Sequence, residues 1–407
     1  MVCKTPKTET STDTMKKLNI KSLLFLLLIC AADCAANDFR AILQSVERNN
    51  VRLQAARRVA DAVKLEAKTE NTLPAPEVEA GYLWGNKGIG HRVDLGVSQS
   101  FEFPSVYLRR AKLIKQRMDN ADLSYLNERQ QVLLKAKLLC IQIVSYNALN
   151  RHFRKDLEQA ESVAASVEKQ FEKGEATAIE YHKAKQNAIV FVNELNQLKS
   201  LKESMLAELV RLNGGTPVTL HDSVLTHTFL PKNFETWLNT QVDSHPLYQM
   251  AAGQLKEKEN TLKVTKSQCL PNLRVGYASE KERVDHYQGV KIGISLPVWN
   301  MGRHIKAHKK QVEAAQLQLK DTKEEIYTHL RSLYQEAVVL QDAVIKYQKT
   351  LHDYNNSALL KKSLEHGQIN IITYLQEIQW GHEIREKQLE TECELELKIA
   401  ELTASEL

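Results

Sequence analysis

Apolar residues at Ile326, Leu330, Leu333, Ala337, Leu340, Val344, Tyr347 and Leu351 alternate spacings of four and three. That period places one apolar stripe along a helix and is the seam of a coiled coil. The seam lies in a segment of 64 residues between Gly302 and Gly367 that contains neither glycine nor proline. A comparable segment of 69 residues separates Pro104 from Gly174. At 1.5 Å per residue such a stretch reaches roughly 100 Å as a continuous helix, more than one compact domain needs.

Before each long segment the period changes to two. Val78, Ala80, Tyr82 and Trp84 share one face, and Val93, Leu95 and Val97 alternate with Asp94, Gly96, Ser98 and Ser100. The second stretch places Leu273, Val275 and Tyr277, then Val290, Ile292, Ile294 and Leu296, opposite Gly289, Lys291, Gly293 and Ser295. These patterns predict two β-hairpins, each with one apolar and one polar face. Strands of about 9 to 11 residues suit a tilted bilayer crossing, with Tyr82 and Trp84 at an interface. The same alternation also fits a small sheet whose apolar face packs on the helices of a soluble protein. Four strands cannot close a barrel, so lipid-spanning strands require several chains to pool theirs, and a trimer supplies twelve.

The two halves match each other. FEKGEATAIEY at Phe171 to Tyr181 aligns with LEHGQINIITY at Leu364 to Tyr374, placing Gly174 and Gly367 at an offset of 193. Leu73-Pro74 matches Leu270-Pro271 and Gly96-Val97-Ser98 matches Gly293-Ile294-Ser295, both at an offset of 197, while Ala55-Ala56 matches Ala251-Ala252 at 196. Four landmarks in one order at nearly one spacing mark a duplication. The expected layout is a signal peptide over 1–36, with 1–14 a possible upstream extension before Met15, and a first repeat over 37–215. A linker over 216–239 and a second repeat over 240–407 follow. Each repeat opens with a helix (about 38–70 and 245–268), continues with a hairpin (about 76–103 and 271–298), and ends in a long helical hairpin.

Composition narrows the classes. Gly (15) and Pro (9) are scarce and clustered, as long helices require. Lys16, Lys17 and Lys21 precede an apolar run from Leu23 to Ala32 and small residues near Cys34, Ala35 and Ala36, an export signal cleaved after Ala36. Acylation at Cys34 or Cys30 is the competing reading, with Asp33 and Ile29 as poor neighbours. Beyond that segment no run of 18 apolar residues occurs, which predicts no transmembrane helix. The export segment carries five basic and three acidic residues, so the mature chain holds 50 basic against 47 acidic groups and offers nucleic acid nothing. Cys140, Cys269 and Cys393 are too scattered for a disulfide framework. Among 13 His, His304 and His308 are spaced as ligands on one helix face, yet Lys306, Lys309 and Lys310 crowd them and a surface pair is the simpler reading; no metal site is assigned. No nucleophile elbow, phosphate loop or Cys-x-x-Cys occurs, so neither an enzyme nor a cofactor is expected.

The twofold repeat, the segment GVKIGISLPVWNMGR at Gly289 to Arg303 and the paired FEKGEATAIEY elements resemble the TolC family of outer-membrane efflux proteins, from about Phe39 to Ala404. The shortness of the chain is similar to the heavy-metal and cation branch. The resemblance implies a mainly α fold with a β-barrel part, formed by a homotrimer. Its twelve-stranded barrel in the outer membrane of a Gram-negative bacterium continues into a twelve-helix periplasmic tunnel. It further implies that Gly174, Glu175, Ala176, Thr177, Gly367, Gln368, Ile369 and Asn370 form the helical tips that dock a periplasmic adaptor, itself linked to an inner-membrane pump. Pro104, Pro297 and Gly302 would turn strand into helix. Some family members carry aspartates six and nine residues after the second tip glycine. Here those positions are Thr373 and Gln376, with Glu377 one further, which weakens the case for an acidic gate. The first copy holds Glu180 and Lys183 there, either paired across the entrance or simply solvated. The expected function is passive conduction of small solutes, metal ions or drugs. A soluble periplasmic coiled-coil scaffold and a conduit for protein secretion are the alternatives.

Overall fold

The computed structural model describes residues 34–86, 90–225, 230, 231, 233–282, 285–297, 299, 301–353 and 357–407. Cys30 and the apolar run of the expected signal peptide lie outside the described residues, as do parts of the expected linker. In chain order the elements are α1 (Cys34–Asn49), α2 (Val51–Thr69), β1 (Glu77–Trp84), β2 (His91–Phe101), α3 (Pro104–Glu172), α4 (Ala178–Leu212), α5 (Phe234–Ser244), α6 (Pro246–Ser267), β3 (Asn272–Lys281), β4 (His286–Ser295), α7 (Met301–Asp353), α8 (Ser357–Glu365) and α9 (Ile371–Leu402), with a closing 3₁₀ turn at Ala404–Glu406.

The glycine-free stretch after Pro104 is one helix of 69 residues, and Pro104 opens it, where a missing N–H costs nothing. α4 returns along α3 and α9 along α7, while α6 packs between α3 and α7. The α7 seam faces inward: Ile326, Leu330, Leu333, Ala337 and Val344 are buried, and Leu340, Tyr347 and Leu351 half-buried. One core gathers Val46 and Leu53 against Val132, Leu133, Ala136, Cys140, Ile143 and Val144 of α3 and Leu209 and Leu212 of α4. Its counterpart packs Leu238 and Val242 of α5 on Ile326, Leu330 and Leu333 of α7 and Leu402 of α9. Each opening segment thus closes over a long helix beside the end of the returning one. Among the described residues one helix, α3, holds an 18-residue stretch apolar and long enough to cross a membrane by composition, contrary to the sequence expectation. Half of that stretch is buried inside the fold, as befits a core helix.

One expected helix is divided. The opening helix breaks at Asn50, whose backbone is extended (ψ 116°). Its side-chain oxygen accepts from Leu53 N at 3.0 Å while its amide donates to Leu212 O at 2.7 Å. One buried side chain therefore caps the start of α2 and satisfies an orphan carbonyl at the end of α4. In the second repeat, α5 occupies part of the expected linker, and His245 takes the extended conformation that precedes a proline before Pro246 starts α6. The described stretch of the linker is held on α3 by Asn147, whose amide donates to Leu220 O at 3.1 Å and Asp222 O at 2.7 Å. The second long helix ends at Asp353 and helix resumes at Ser357; the residues between lie outside those described.

At the end of α4, Gly214 has φ +63°, and a Cβ there would lie 2.3 Å from Asn49 O. Gly214→Ala is expected to lower the melting temperature further than Gly215→Ala. The latter residue shares a left-handed φ of +85° but faces open space, so its cost is the roughly 1–2 kcal/mol of that conformation alone. Thermal melts of the two variants check this; equal losses would mean that the Asn49 contact relaxes freely.

Candidate functional site

The four strands form one antiparallel sheet in the order β1-β2-β3-β4, so the last strand of the first repeat pairs with the first strand of the second. Cross-strand partners share a face. The register pairs Val78 with Val97, Ala80 with Leu95 and Tyr82 with Val93. It continues with Val97 opposite Tyr277 and Phe101 opposite Leu273, then Leu273 opposite Ile294, Val275 opposite Ile292 and Tyr277 opposite Val290. Every strand position expected to be apolar therefore lies on one surface, and Trp84 continues it opposite His91. Leu296 follows β4, 60% exposed.

That surface is bare. Trp84 is 82% exposed, Val78 and Ile292 75% and Val290 70%, so the sheet does not pack its apolar face on the helices of its own chain. This overturns the packed-sheet alternative. A contiguous apolar patch of this extent belongs in lipid or in an interface. Tyr82 and Trp84 stand near the hairpin end of the sheet, Phe103 and Trp299 near the helical end. The opposite surface is polar. Arg92 bridges β2 and β3, with Asp94 at 2.6 Å and Glu280 at 3.0 Å; Lys291 lies 3.5 Å from Glu280, and Arg274 lies 3.4 Å from Glu77. β1 has 8 residues, shorter than expected, and just beyond it Gly85 N donates to Gly90 O at 2.9 Å. Among the described residues the outer edges of β1 and β4 have no strand partner.

At the far end, both helical hairpins reverse in the same way. Glu175 N donates to Gln170 O at 2.8 Å and Gly174 N to Phe171 O at 2.9 Å; Gln368 N donates to Ser363 O at 2.8 Å and Gly367 N to Leu364 O at 3.0 Å. These are two Schellman turns, with Gly174 at φ +77° and Gly367 at φ +67°. Gly174, Glu175, Thr177, Gly367, Gln368 and Asn370 are exposed, whereas Ala176 and Ile369 turn inward onto a cluster that joins the two tips through Val167, Tyr374 and Leu375. A groove of about 880 Å³ runs beside this cluster, with Gln159 and Tyr374 on its walls.

The next helices start on side-chain caps. Asn370 accepts from Thr373 N at 2.8 Å. Thr177 and Glu180 form a reciprocal capping box, the Glu180 carboxylate accepting from Thr177 N and Oγ1 at 2.8 Å each. Glu180 is thus engaged within its own helix, and the backbone N–H of Thr177, then its hydroxyl, hold the carboxyl below its ordinary range. Lys183 and Gln376 are exposed, and Thr373 and Glu377 half-buried. Of the expected strand-to-helix turns, Pro104 opens α3 and Pro297 precedes α7, but Gly302 sits inside the first turn of α7, in open space and outside the left-handed region, so nothing there demands glycine.

The sequence pattern missed one constellation. His152 and Asp156 on α3 meet His382 on α9, 226 residues beyond Asp156, inside the bundle. The spacing of four between His152 and Asp156 is the only local signal of it, and tertiary packing supplies the rest. His304 and His308, the sequence candidates, lie on α7, His304 exposed and His308 half-buried.

No protein-family model and no curated protein matches this sequence. Solved structures do. The outer-membrane channel OprN superposes with a TM-score of 0.75 at 13% identity, over 91% of this chain and 89% of that one. The Campylobacter jejuni CmeC outer-membrane channel gives 0.72 at 14%, over 90% and 85%. CusC, a protein described as forming a transmembrane channel, gives 0.72 at 13%, over 91% and 92%.

Thr177→Ala is expected to cost about 1 kcal/mol of helix-end stability and to speed amide exchange in the first turn of α4, with Thr177→Ser restoring protection. Glu180 titrates below its ordinary 4.5, so its share is full above that pH and fades as pH falls through the lowered value. Exchange rates at neutral pH and at acid pH check both statements.

In architecture, from the amphipathic four-stranded sheet to the paired helical hairpins, this chain has the fold of the TolC-type outer-membrane channels.

Proposed function

We propose that three copies of this chain join sheet edge to sheet edge into a twelve-stranded barrel in the outer membrane of a Gram-negative bacterium, continued by the helical hairpins as a periplasmic tunnel. The carrying observation is the open amphipathic sheet. In hydrocarbon an unpaired peptide group costs several kcal/mol. The outer edge of an 8-residue strand and that of a 10-residue strand hold several such groups, enough to exceed the 5–15 kcal/mol by which domains are typically stable. Closure by further copies removes both edges at once.

In that arrangement Val78, Ala80, Tyr82, Trp84, Val93, Leu95, Val97, Leu273, Val275, Tyr277, Val290, Ile292, Ile294 and Leu296 face lipid. Tyr82 and Trp84 mark one interface and Phe103 and Trp299 the other. Arg92, Asp94, Glu280 and Lys291 line water. The tips at Gly174 and Gly367 dock a periplasmic adaptor that connects to an inner-membrane pump, and Lys183, Thr373, Gln376 and Glu377 surround the entrance. The conduit is passive: small solutes, metal ions or drugs, pass through a polar lumen, and the pump supplies the free energy. A soluble scaffold would leave the bare sheet face in water.

The test is assembly and conductance. Purified chain in detergent is expected to run as a trimer and to form channels in planar bilayers. Ile292→Arg is expected to cost roughly 2–4 kcal/mol of insertion at mid-membrane and to deplete assembled trimer. Lys291→Glu, on the other face, is expected to keep the trimer and shift conductance toward cations. A water-soluble monomer, or equal loss of assembly in both variants, would overturn the reading.

A further inference from the structure

Inside the helical bundle, away from the polar sheet face and from the tips, α3, α4 and α9 bring together groups that conduction does not use. His382 on α9 is 3% exposed. Its Nδ1 lies 2.7 Å from Asp156 Oδ2 on α3 and its Nε2 3.4 Å from Glu194 Oε2 on α4. His152, one turn before Asp156, places Nε2 3.1 Å from that same Asp156 oxygen. The two imidazoles stack at 5.4 Å between centroids, and Phe153 and Phe191 press on His382 at 4.5 Å and 4.7 Å.

The arrangement is incomplete as it stands. His152 Nε2, His382 Nε2 and Glu194 Oε2 are buried and none makes a well-formed hydrogen bond, although His152 Nε2 lies beside Asp156 and His382 Nε2 beside Glu194. Buried polar atoms so poorly satisfied call for something that uses them.

We propose that His152, Asp156 and His382 form a binding site for a resident divalent cation of the zinc class, one per protomer, that ties the α3–α4 hairpin to α9. The donor set suits it: two imidazole nitrogens and a carboxylate oxygen are what zinc takes among side chains, and magnesium or calcium would call for more oxygens. The donor atoms lie within 4.8 Å of one another, against the roughly 3.3 Å separations that bonds of about 2.0–2.1 Å set in a tetrahedral centre, so side-chain adjustment alone completes the site. Glu194 then accepts from His382 Nε2–H and orients the ring, the usual carboxylate–histidine–metal relation. The ion replaces the proton that His382 Nδ1 shares with Asp156, and binding releases that proton to solvent.

The test uses untagged full-length protein in detergent, treated with a chelator and dialysed against cobalt(II) as the probe, then against zinc. Expected are one cobalt per chain with visible absorption of a tetrahedral nitrogen–oxygen site, displacement by equimolar zinc, and proton release on binding. His152→Gln, at a half-buried position, is expected to abolish the signal. Glu194→Gln is expected to keep the stoichiometry and weaken affinity about 10–100-fold. A His304→Gln/His308→Gln double variant on α7 is expected to bind as the parent does. Wild-type protein holding no more cobalt than His152→Gln, or binding lost in the α7 double variant, would overturn the site.

Discussion

Backbone hydrogen bonding at a sheet edge governs this molecule. A four-stranded sheet with an apolar surface has two needs, a medium for that surface and partners for its outer strands, and the chain supplies neither by itself. Every other large feature accords with the need for more copies. The longest helices run to 69 and 53 residues. Within one chain they bury a string of small clusters along their length where a globular protein would build one deep core. Such a body reaches far for its mass, which suits a wall segment better than a container.

The joints between long rods are where specific polar chemistry concentrates. Asn50 serves two helix ends with one amide, and Gly214 admits the backbone of Asn49 beside it. Asn147 straps the connection between the repeats onto α3. Arg129 does the same at the chain's end, holding Glu47 of α1 at 2.6 Å and donating to Leu407 O at 2.5 Å. The guanidinium of Arg129, chiefly by hydrogen bonding, draws the Glu47 carboxyl below its ordinary value. These contacts fix how segments of separate origin in the chain meet, a task that hydrophobic stripes perform poorly because they slide.

Legibility in the sequence followed the range of the interaction. The heptad seam from Ile326 to Leu351 and the alternation in the strands are local periods, and the structure turns them inward and to one surface respectively. Gly174 and Gly367 were readable because a left-handed helix end admits few other residues. The break at Asn50 was not readable, since its cause is a carbonyl 162 positions away on α4. Gly302 looked like a turn and proved helical because glycine permits a turn without requiring one. The cluster around His382 lies beyond any local reading, for its members come from three helices. Glu180 has a part that its place in the repeat did not announce: threonine three residues earlier donates to its carboxylate, so the residue caps its own helix.

The pairing of β2 with β3 joins the two halves of the chain through one continuous ladder, with Arg92 fastened to Glu280 across the junction. Because successive side chains alternate between the apolar and the polar surface of the sheet, gaining or losing a single residue in one strand would exchange the two surfaces for everything downstream of it, while a change of two would leave them intact. A strand of this sheet can therefore change length in even steps, whereas an odd step needs a bulge to absorb it.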